Sequence, residues 1–144
     1  MKEQVFWENI EVGNELPELI KKPTTRQLVQ WAGASGDFYE IHYDKEYALN
    51  NSLPGQIVHG ALKTAWLGQM LTDFAGYHGK VKKYMVSYRG MDVPGDIITC
   101  KGKIIAKYID SQDHMVDIEI WLVNGKGEKT TLGKGTVMLP VKAE

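Results

Sequence analysis

The sequence predicts an α+β protein, and three observations favour that class. A long, mostly apolar segment at residues 56–74 has the spacing of a helix that is buried on several sides. Four runs in the second half of the chain have the β-branched and aromatic content of strands. Helical segments come first and strands follow, and a hairpin signal joins the last two strands. We therefore expect an antiparallel sheet that packs around one central helix.

The chain is expected to begin with a short arm, an edge strand and a first helix. Residues 15–22 suit an edge strand, because Pro17 would interrupt the hydrogen bonding of a central one. Thr24 is the expected N-cap of the first helix, with a glutamine three residues later as in a capping box. Gly33 and Gly36 are expected to end this helix.

Two more helices are predicted before the strands. Asp44 is the expected N-cap of a short helix, which the loop-forming residues 50–55 separate from the central one. The central helix is predicted over residues 56–74, and Gly76 stops it. Its narrow polar strip consists of Lys63, Gln69 and Asp73.

The strands are predicted in the second half. They are expected at 84–88, 97–108, 115–123 and 129–139. Residues 124–127 read Asn-Gly-Lys-Gly, which is a strong hairpin signal between the last two strands.

Bulk composition indicates one soluble domain over residues 1–144. Hydrophobic residues make up 43% and charged residues 24% of the chain, as is usual for globular proteins. The net charge of −1 argues against nucleic acid or a membrane surface as the main partner. A single cysteine, Cys100, cannot form a disulfide within the chain. The polar residues among the first ten argue against a signal peptide, so we expect a cytoplasmic protein.

An aspartate and a histidine, Asp37 and His42, are the candidate catalytic residues. Their spacing alone is weak, because a loop carboxylate and a histidine near the core would look the same. However, they lie between two predicted helices among aromatic residues, where a carboxylate and an imidazole suit acid–base chemistry. Gly60, in the first turn of the central helix, offers a backbone N–H with no intrahelical partner. Such an N–H is a natural donor to an oxyanion.

These residues carry a family resemblance. The run A-G-A-S-G-D-F-Y-E-I-H-Y-D, followed by P-G-Q-I-V-H-G-A-L, resembles the hydratase motif of the MaoC-like family of (R)-specific enoyl-CoA hydratases. The resemblance implies a hot-dog fold, in which a long helix is wrapped by a curved antiparallel sheet. It also implies hydration of a trans-2-enoyl-CoA to a (3R)-3-hydroxyacyl-CoA, a step of fatty acid metabolism, without cofactor or metal. Asp37 and His42 then hold the catalytic water, and the Gly60 N–H binds the thioester oxygen.

The sequence departs from the family motif in one place inside the site. Tyr39 and Glu40 stand where many members have Asn-Pro, so the loop loses a residue with a fixed φ angle. Phe38, Tyr39 and Trp66 are the expected lining of the substrate pocket. His59 is expected to set the start of the central helix rather than to take part in chemistry. No histidine, cysteine or carboxylate cluster has the spacing of a metal site.

Two other functions stay open at this point. A hot-dog thioesterase would cleave the acyl-CoA thioester instead of hydrating its double bond. A non-catalytic or co-catalytic subunit would pair with a second hot-dog chain. A single hot-dog sheet leaves an exposed edge, so we expect a homodimer or a higher oligomer.

Overall fold

The structure, a computed structural model, describes residues 3–143; Met1, Lys2 and Glu144 of the predicted domain lie outside this range. Three α-helices lie within it: α1 (Thr25–Ser35), α2 (Lys45–Asn50) and α3 (Gly60–Ala75). The strands are β1 (Leu19–Lys21), β2 (Lys80–Tyr88), β3 (Ile98–Asp110), β4 (Asp113–Val123) and β5 (Lys129–Met138). Two single 3₁₀ turns cover Trp7–Asn9 and Glu40–His42. None of the described helices has the length and hydropathy of a membrane span.

The five strands form one antiparallel sheet in the order β1-β3-β4-β5-β2, and α3 lies against all five. Bulges interrupt the register of β2 between Val81 and Lys83 and of β3 between Ile104 and Ala106. Bulges bend a strand and increase its twist, so the sheet curves around the helix. This is the hot-dog architecture, which confirms the predicted fold class.

The core lies between α3 and the concave face of the sheet. Leu67 and Leu71 of α3 are fully buried there. Their partners from the sheet are Ile98, Ile104, Val116, Ile118, Ile120 and Val137. Gly135 of β5 lets the helix approach, because a Cβ atom at this position would lie 2.5 Å from Leu71 Cδ1.

Local sequence signals place the ends of the elements. The Thr24 hydroxyl accepts the Gln27 N–H at 3.1 Å and caps α1. The Asp44 carboxylate accepts the Tyr47 N–H at 2.9 Å and caps α2. Gly127, at φ 82°, closes the hairpin between β4 and β5. These three predictions are confirmed.

Three predictions about the helices need correction. First, α1 ends at Gly36 as predicted, where φ is 79°, but it continues through Gly33. Second, α3 begins at Gly60 and not at residue 56, because the polar groups of the preceding segment bond outside the helix. The Val58 N–H, for example, bonds to the Asp92 carbonyl at 2.8 Å. Third, Lys63, which was predicted to lie on the polar strip of α3, is buried.

Candidate active site

The loop between α1 and α2 brings Asp37 and His42 together. Gly36 ends α1 in the left-handed conformation, and the chain then reverses. The Ser35 hydroxyl accepts the Asp37 N–H at 3.2 Å, which holds the start of the loop. His42 lies at the end of the 3₁₀ turn Glu40–His42 and points back toward Asp37. The predicted pair is therefore a spatial pair, with His42 Nε2 3.8 Å from Asp37 Oδ2.

A backbone carbonyl sets the tautomer of His42. The ring Nδ1 lies 2.7 Å from the Ile57 carbonyl oxygen. Because a carbonyl only accepts, Nδ1 carries the proton of the neutral ring and Nε2 carries the lone pair. His42 is buried, whereas the Asp37 side chain is about half exposed. The lone pair of His42 thus faces a carboxylate that is accessible to solvent.

A second histidine, His59, lies against the pair, although it was predicted only to set the start of the central helix. Its ring stacks on the ring of His42 with centroids 3.7 Å apart and planes at 19°. Its Nε2 donates to the Asp37 carbonyl at 3.2 Å, and its buried Nδ1 has no partner. Burial, followed by the charge of His42, lowers the pKa of His59 below the usual 6.5. His59 therefore contacts both members of the pair.

Asp37, His42 and His59 each offer a ligand atom, and these atoms lie within 4.8 Å of one another. Sequence spacing had not revealed this cluster, because His59 lies on a distant segment. The geometry does not favour one ion between the two rings. Lone pairs on ring nitrogens lie in the ring plane, so two nearly parallel stacked rings do not point at one centre. One ring would have to turn before both could bind a metal.

Gly60 is the first residue of α3, and within residues 3–143 its N–H has no hydrogen-bond partner in the protein. Tyr88 packs against Gly60, since a Cβ at Gly60 would lie 2.8 Å from Tyr88 Cζ and the ring would have to shift. The Tyr88 hydroxyl lies 2.6 Å from Thr64 Oγ1, which fixes the ring over the helix start. The ring therefore occupies the space into which a side chain at residue 60 would project.

Tyr39 and Phe38 lie at the surface beside the pair, whereas Trp66 does not. Both residues of the loop are more than half exposed, and the Tyr39 ring meets the His42 ring edge-on at 6.2 Å. Trp66 is 3% exposed and packs in the core. We therefore keep Phe38 and Tyr39 in the candidate pocket and leave Trp66 out.

Backbone hydrogen bonds hold the loop, which lacks the proline of the family motif. Tyr39 has φ −65° and ψ 125°, an extended conformation that is also the one favoured before proline. The His42 N–H donates to the Tyr39 carbonyl at 3.1 Å, and the Asp44 N–H donates to the Glu40 carbonyl at 2.8 Å. The 3₁₀ turn thus does what a fixed φ angle would otherwise do.

Comparison with known proteins agrees with this fold. A sequence profile described as the MaoC like domain matches residues 11–119. A fatty acid synthase subunit beta from Aspergillus oryzae is 29% identical over 111 residues, which are 67% of this chain and 5% of that protein. The chain thus spans a small part of the length of this relative.

Two solved structures are similar in fold. The R-hydratase PhaJ1 from Pseudomonas aeruginosa superposes with a TM-score of 0.86 at 21% identity, covering 96% of this chain and 88% of that one. A chain of the ChsH1-ChsH2 complex from Mycobacterium tuberculosis gives 0.79 at 22% identity, covering 90% and 98%.

Proposed function

Because the chain belongs to the MaoC-like family, we propose that it is a hydro-lyase acting on an acyl-CoA thioester. It adds water to a trans-2-enoyl-CoA to give a (3R)-3-hydroxyacyl-CoA, or catalyses the reverse dehydration. The observation that carries the proposal is the bond from His42 Nδ1 to the Ile57 carbonyl at 2.7 Å. It leaves the basic Nε2 beside Asp37, where a water can be held and deprotonated.

In the proposed reaction, one water contacts both His42 Nε2 and Asp37 Oδ2. These atoms are 3.8 Å apart, which exceeds a direct hydrogen bond but lets one water oxygen reach both. His42 takes a proton from the water while the water oxygen bonds to C3 of the substrate. The electrons of the C2=C3 bond move toward the thioester. The Asp37–His42 pair then delivers the proton to C2. The product has gained one water, and the side chains return to their starting protonation states.

The start of α3 stabilises the charge that develops on the thioester oxygen. The Gly60 N–H has no partner within the described residues and lies at the positive end of the helix dipole. A fixed N–H directed at an oxyanion accelerates acyl chemistry by roughly 10² or more. We propose that Gly60 is this donor.

The experiment measures loss of enoyl-thioester absorbance with crotonyl-CoA and with longer and branched enoyl-CoAs. Asp37→Asn and His42→Ala should each lower kcat by about 10² or more, because each removes one acid–base partner. The matched controls are Asp44→Asn, where an asparagine still caps α2, and His78→Ala at an exposed site. Both controls should keep the wild-type rate. Wild-type rates in both site variants would show that the assignment is wrong.

Tyr39 and Phe38 are the proposed exposed wall of the substrate pocket. The Tyr39 ring packs edge-on against His42 and at 6.2 Å from Tyr47, so it covers the catalytic ring on the solvent side. Tyr39→Asn, which introduces the residue that many family members have, should change KM for long enoyl-CoAs more than for crotonyl-CoA. Equal changes for all chain lengths would remove Tyr39 from the acyl pocket.

We also propose that two copies of the chain pair through β2. This strand is an edge of the sheet, and Met85 on it is 73% exposed. The lysines of this nine-residue strand lie in its first half, whereas residues 84–88 carry mostly apolar side chains. This second half is a site for strand addition, and a twofold axis can join two copies of it. Sedimentation at micromolar concentration should give a dimer that Met85→Lys weakens and the control Tyr77→Lys does not. A wild-type monomer would contradict this arrangement.

Two alternatives remain to be separated from the hydratase. A thioesterase would release free thiol from acyl-CoA, which a thiol reagent detects against a low background because Cys100 is buried. The second alternative is a subunit that is active only together with another hot-dog chain. The two named components of the ChsH1-ChsH2 complex motivate this alternative. Hydration by the purified chain alone would exclude that requirement.

A further inference from the structure

A lysine and an aspartate form a buried ion pair below the first turn of α3. Lys63 Nζ lies 2.9 Å from Asp92 Oδ2, and the two side chains are 3% and 0% exposed. Lys63 also donates to the Gly90 carbonyl at 2.8 Å, and the Thr130 hydroxyl donates to Asp92 Oδ2 at 2.7 Å. The other carboxylate oxygen, Oδ1, is buried without a hydrogen-bond partner.

Stability alone does not account for this ion pair. Moving two charges out of water costs more than their attraction returns unless the surrounding hydrogen bonds are complete. They are incomplete here, because Asp92 Oδ1 has no partner. Two apolar side chains of similar volume are often equally or more stable in such a place. What the ion pair adds over an apolar contact is a fixed direction and distance between the backbone segments that it joins.

Those segments are the start of α3, the loop between β2 and β3, and β5. Lys63 lies in the first turn of α3, and its N–H bonds to the His59 carbonyl at 3.2 Å. Asp92 lies in the loop, and its backbone carbonyl accepts the Val58 N–H at 2.8 Å. The bond from Thr130 ties the same aspartate to β5. The ion pair therefore holds the residues before the helix from two sides.

Both neighbours of Val58 contact the catalytic pair. On one side, the Ile57 carbonyl accepts the Nδ1–H of His42 at 2.7 Å. On the other side, His59 stacks on His42 and donates to the Asp37 carbonyl. A displacement of Val58 thus moves the groups that orient both catalytic side chains.

We propose that the Lys63–Asp92 ion pair positions the active site by fixing the segment that leads into α3. The two residues do not contact the reacting atoms; they act through Ile57, His59 and the Gly60 N–H. This inference rests on the proposed function for its kinetic part. Its structural part concerns the tautomer and environment of His42, which can be measured without any substrate.

The test replaces both members of the pair by apolar residues, Lys63→Met with Asp92→Leu, so that no single charge stays buried. The control is Lys101→Met with Glu18→Leu, which removes a partly exposed ion pair at 2.7 Å. Three quantities are measured: the melting temperature, kcat and KM with crotonyl-CoA, and ¹H–¹⁵N spectra of the histidine rings. The chain has 4 histidines, so their ring signals can be assigned by substitution.

We expect the double variant to melt within a few degrees of the wild type while kcat falls at least tenfold, because a small misplacement of catalytic groups is costly. The Nδ1–H signal of His42 should also shift or exchange faster, and the control should change none of these quantities. Unchanged kcat and unchanged His42 signals in a folded double variant would overturn the proposal. If the wild type hydrates no enoyl-CoA, the proposed function fails, while the His42 spectrum still decides the positioning role.

A milder variant covers the case in which the double variant does not fold. Thr130→Val keeps the shape of the side chain and removes only the hydrogen bond to Asp92. It should lower kcat severalfold and shift the same His42 signal by a smaller amount, with KM unchanged. A wild-type kcat together with a wild-type spectrum would overturn the proposal in this variant also.

Discussion

The contact between Gly60 and Tyr88 leads to a quantitative prediction for Gly60→Ala. The new Cβ would lie 2.8 Å from Tyr88 Cζ and 2.9 Å from Cε2, so the ring must move. Moving it strains the contact by about 1–3 kcal/mol, as overpacking does. It also endangers the 2.6 Å hydrogen bond between Tyr88 and Thr64, worth about 1 kcal/mol. Replacing a helical glycine by alanine lowers the entropy of the unfolded chain, and this gain offsets only about 0.4–1 kcal/mol of the loss.

We therefore expect Gly60→Ala to lower the free energy of unfolding by about 1–2 kcal/mol. This corresponds to a melting temperature about 3–8 °C lower for a chain of this size. The matched control is Gly33→Ala in α1, where an added Cβ meets nothing within 4 Å. That change should stabilise the protein by about 0.4–1 kcal/mol.

Urea denaturation of both variants checks the prediction, together with the same two substitutions in a Tyr88→Ala background. Removing the ring should make Gly60→Ala neutral or stabilising, while Gly33→Ala keeps its effect. If Gly60→Ala stabilises the wild-type chain as Gly33→Ala does, the ring does not press on the helix start and the reasoning fails. Alanine retains the backbone N–H at residue 60. A lower rate of enoyl-CoA hydration in Gly60→Ala would therefore report displacement of this donor.

Three further predictions follow from the pKa shifts and the loop. Burial raises the pKa of Cys100 to about 12, so a thiol reagent should label the chain only on unfolding; labelling at native rates would contradict this. The lowered pKa of His59 means that, below pH 6.5, the unfolded chain binds a proton that the folded one does not. Unfolding free energies should fall as the pH drops below 6.5, and less so in His59→Gln, whereas equal slopes would refute the assignment. Glu40→Pro should be tolerated and raise the melting temperature, because Tyr39 already has the conformation favoured before proline; a lower value would count against the account of the loop.

Much of the site could be predicted because its elements are defined by local chemistry. Capping by Thr24 and Asp44 depends on residues three positions apart, so the caps can be predicted from the sequence. Asp37 and His42 lie on one loop, and the motif around them carries the family resemblance. His59 was missed as a partner because the stack on His42 joins two loops whose separation depends on the packing of α3.

The amino-acid sequence by itself determined the α+β class, the order of helices and strands, the family and the candidate pair Asp37 and His42. These depend on hydrophobic period, turn residues and a contiguous motif, all of which act over short distances. Only the tertiary structure decided that α3 begins at Gly60, that Lys63 pairs with Asp92 inside the protein, and that His59 packs on His42. Each of these depends on a partner from a distant segment, and a charged or polar residue is buried only where the fold brings such a partner to it.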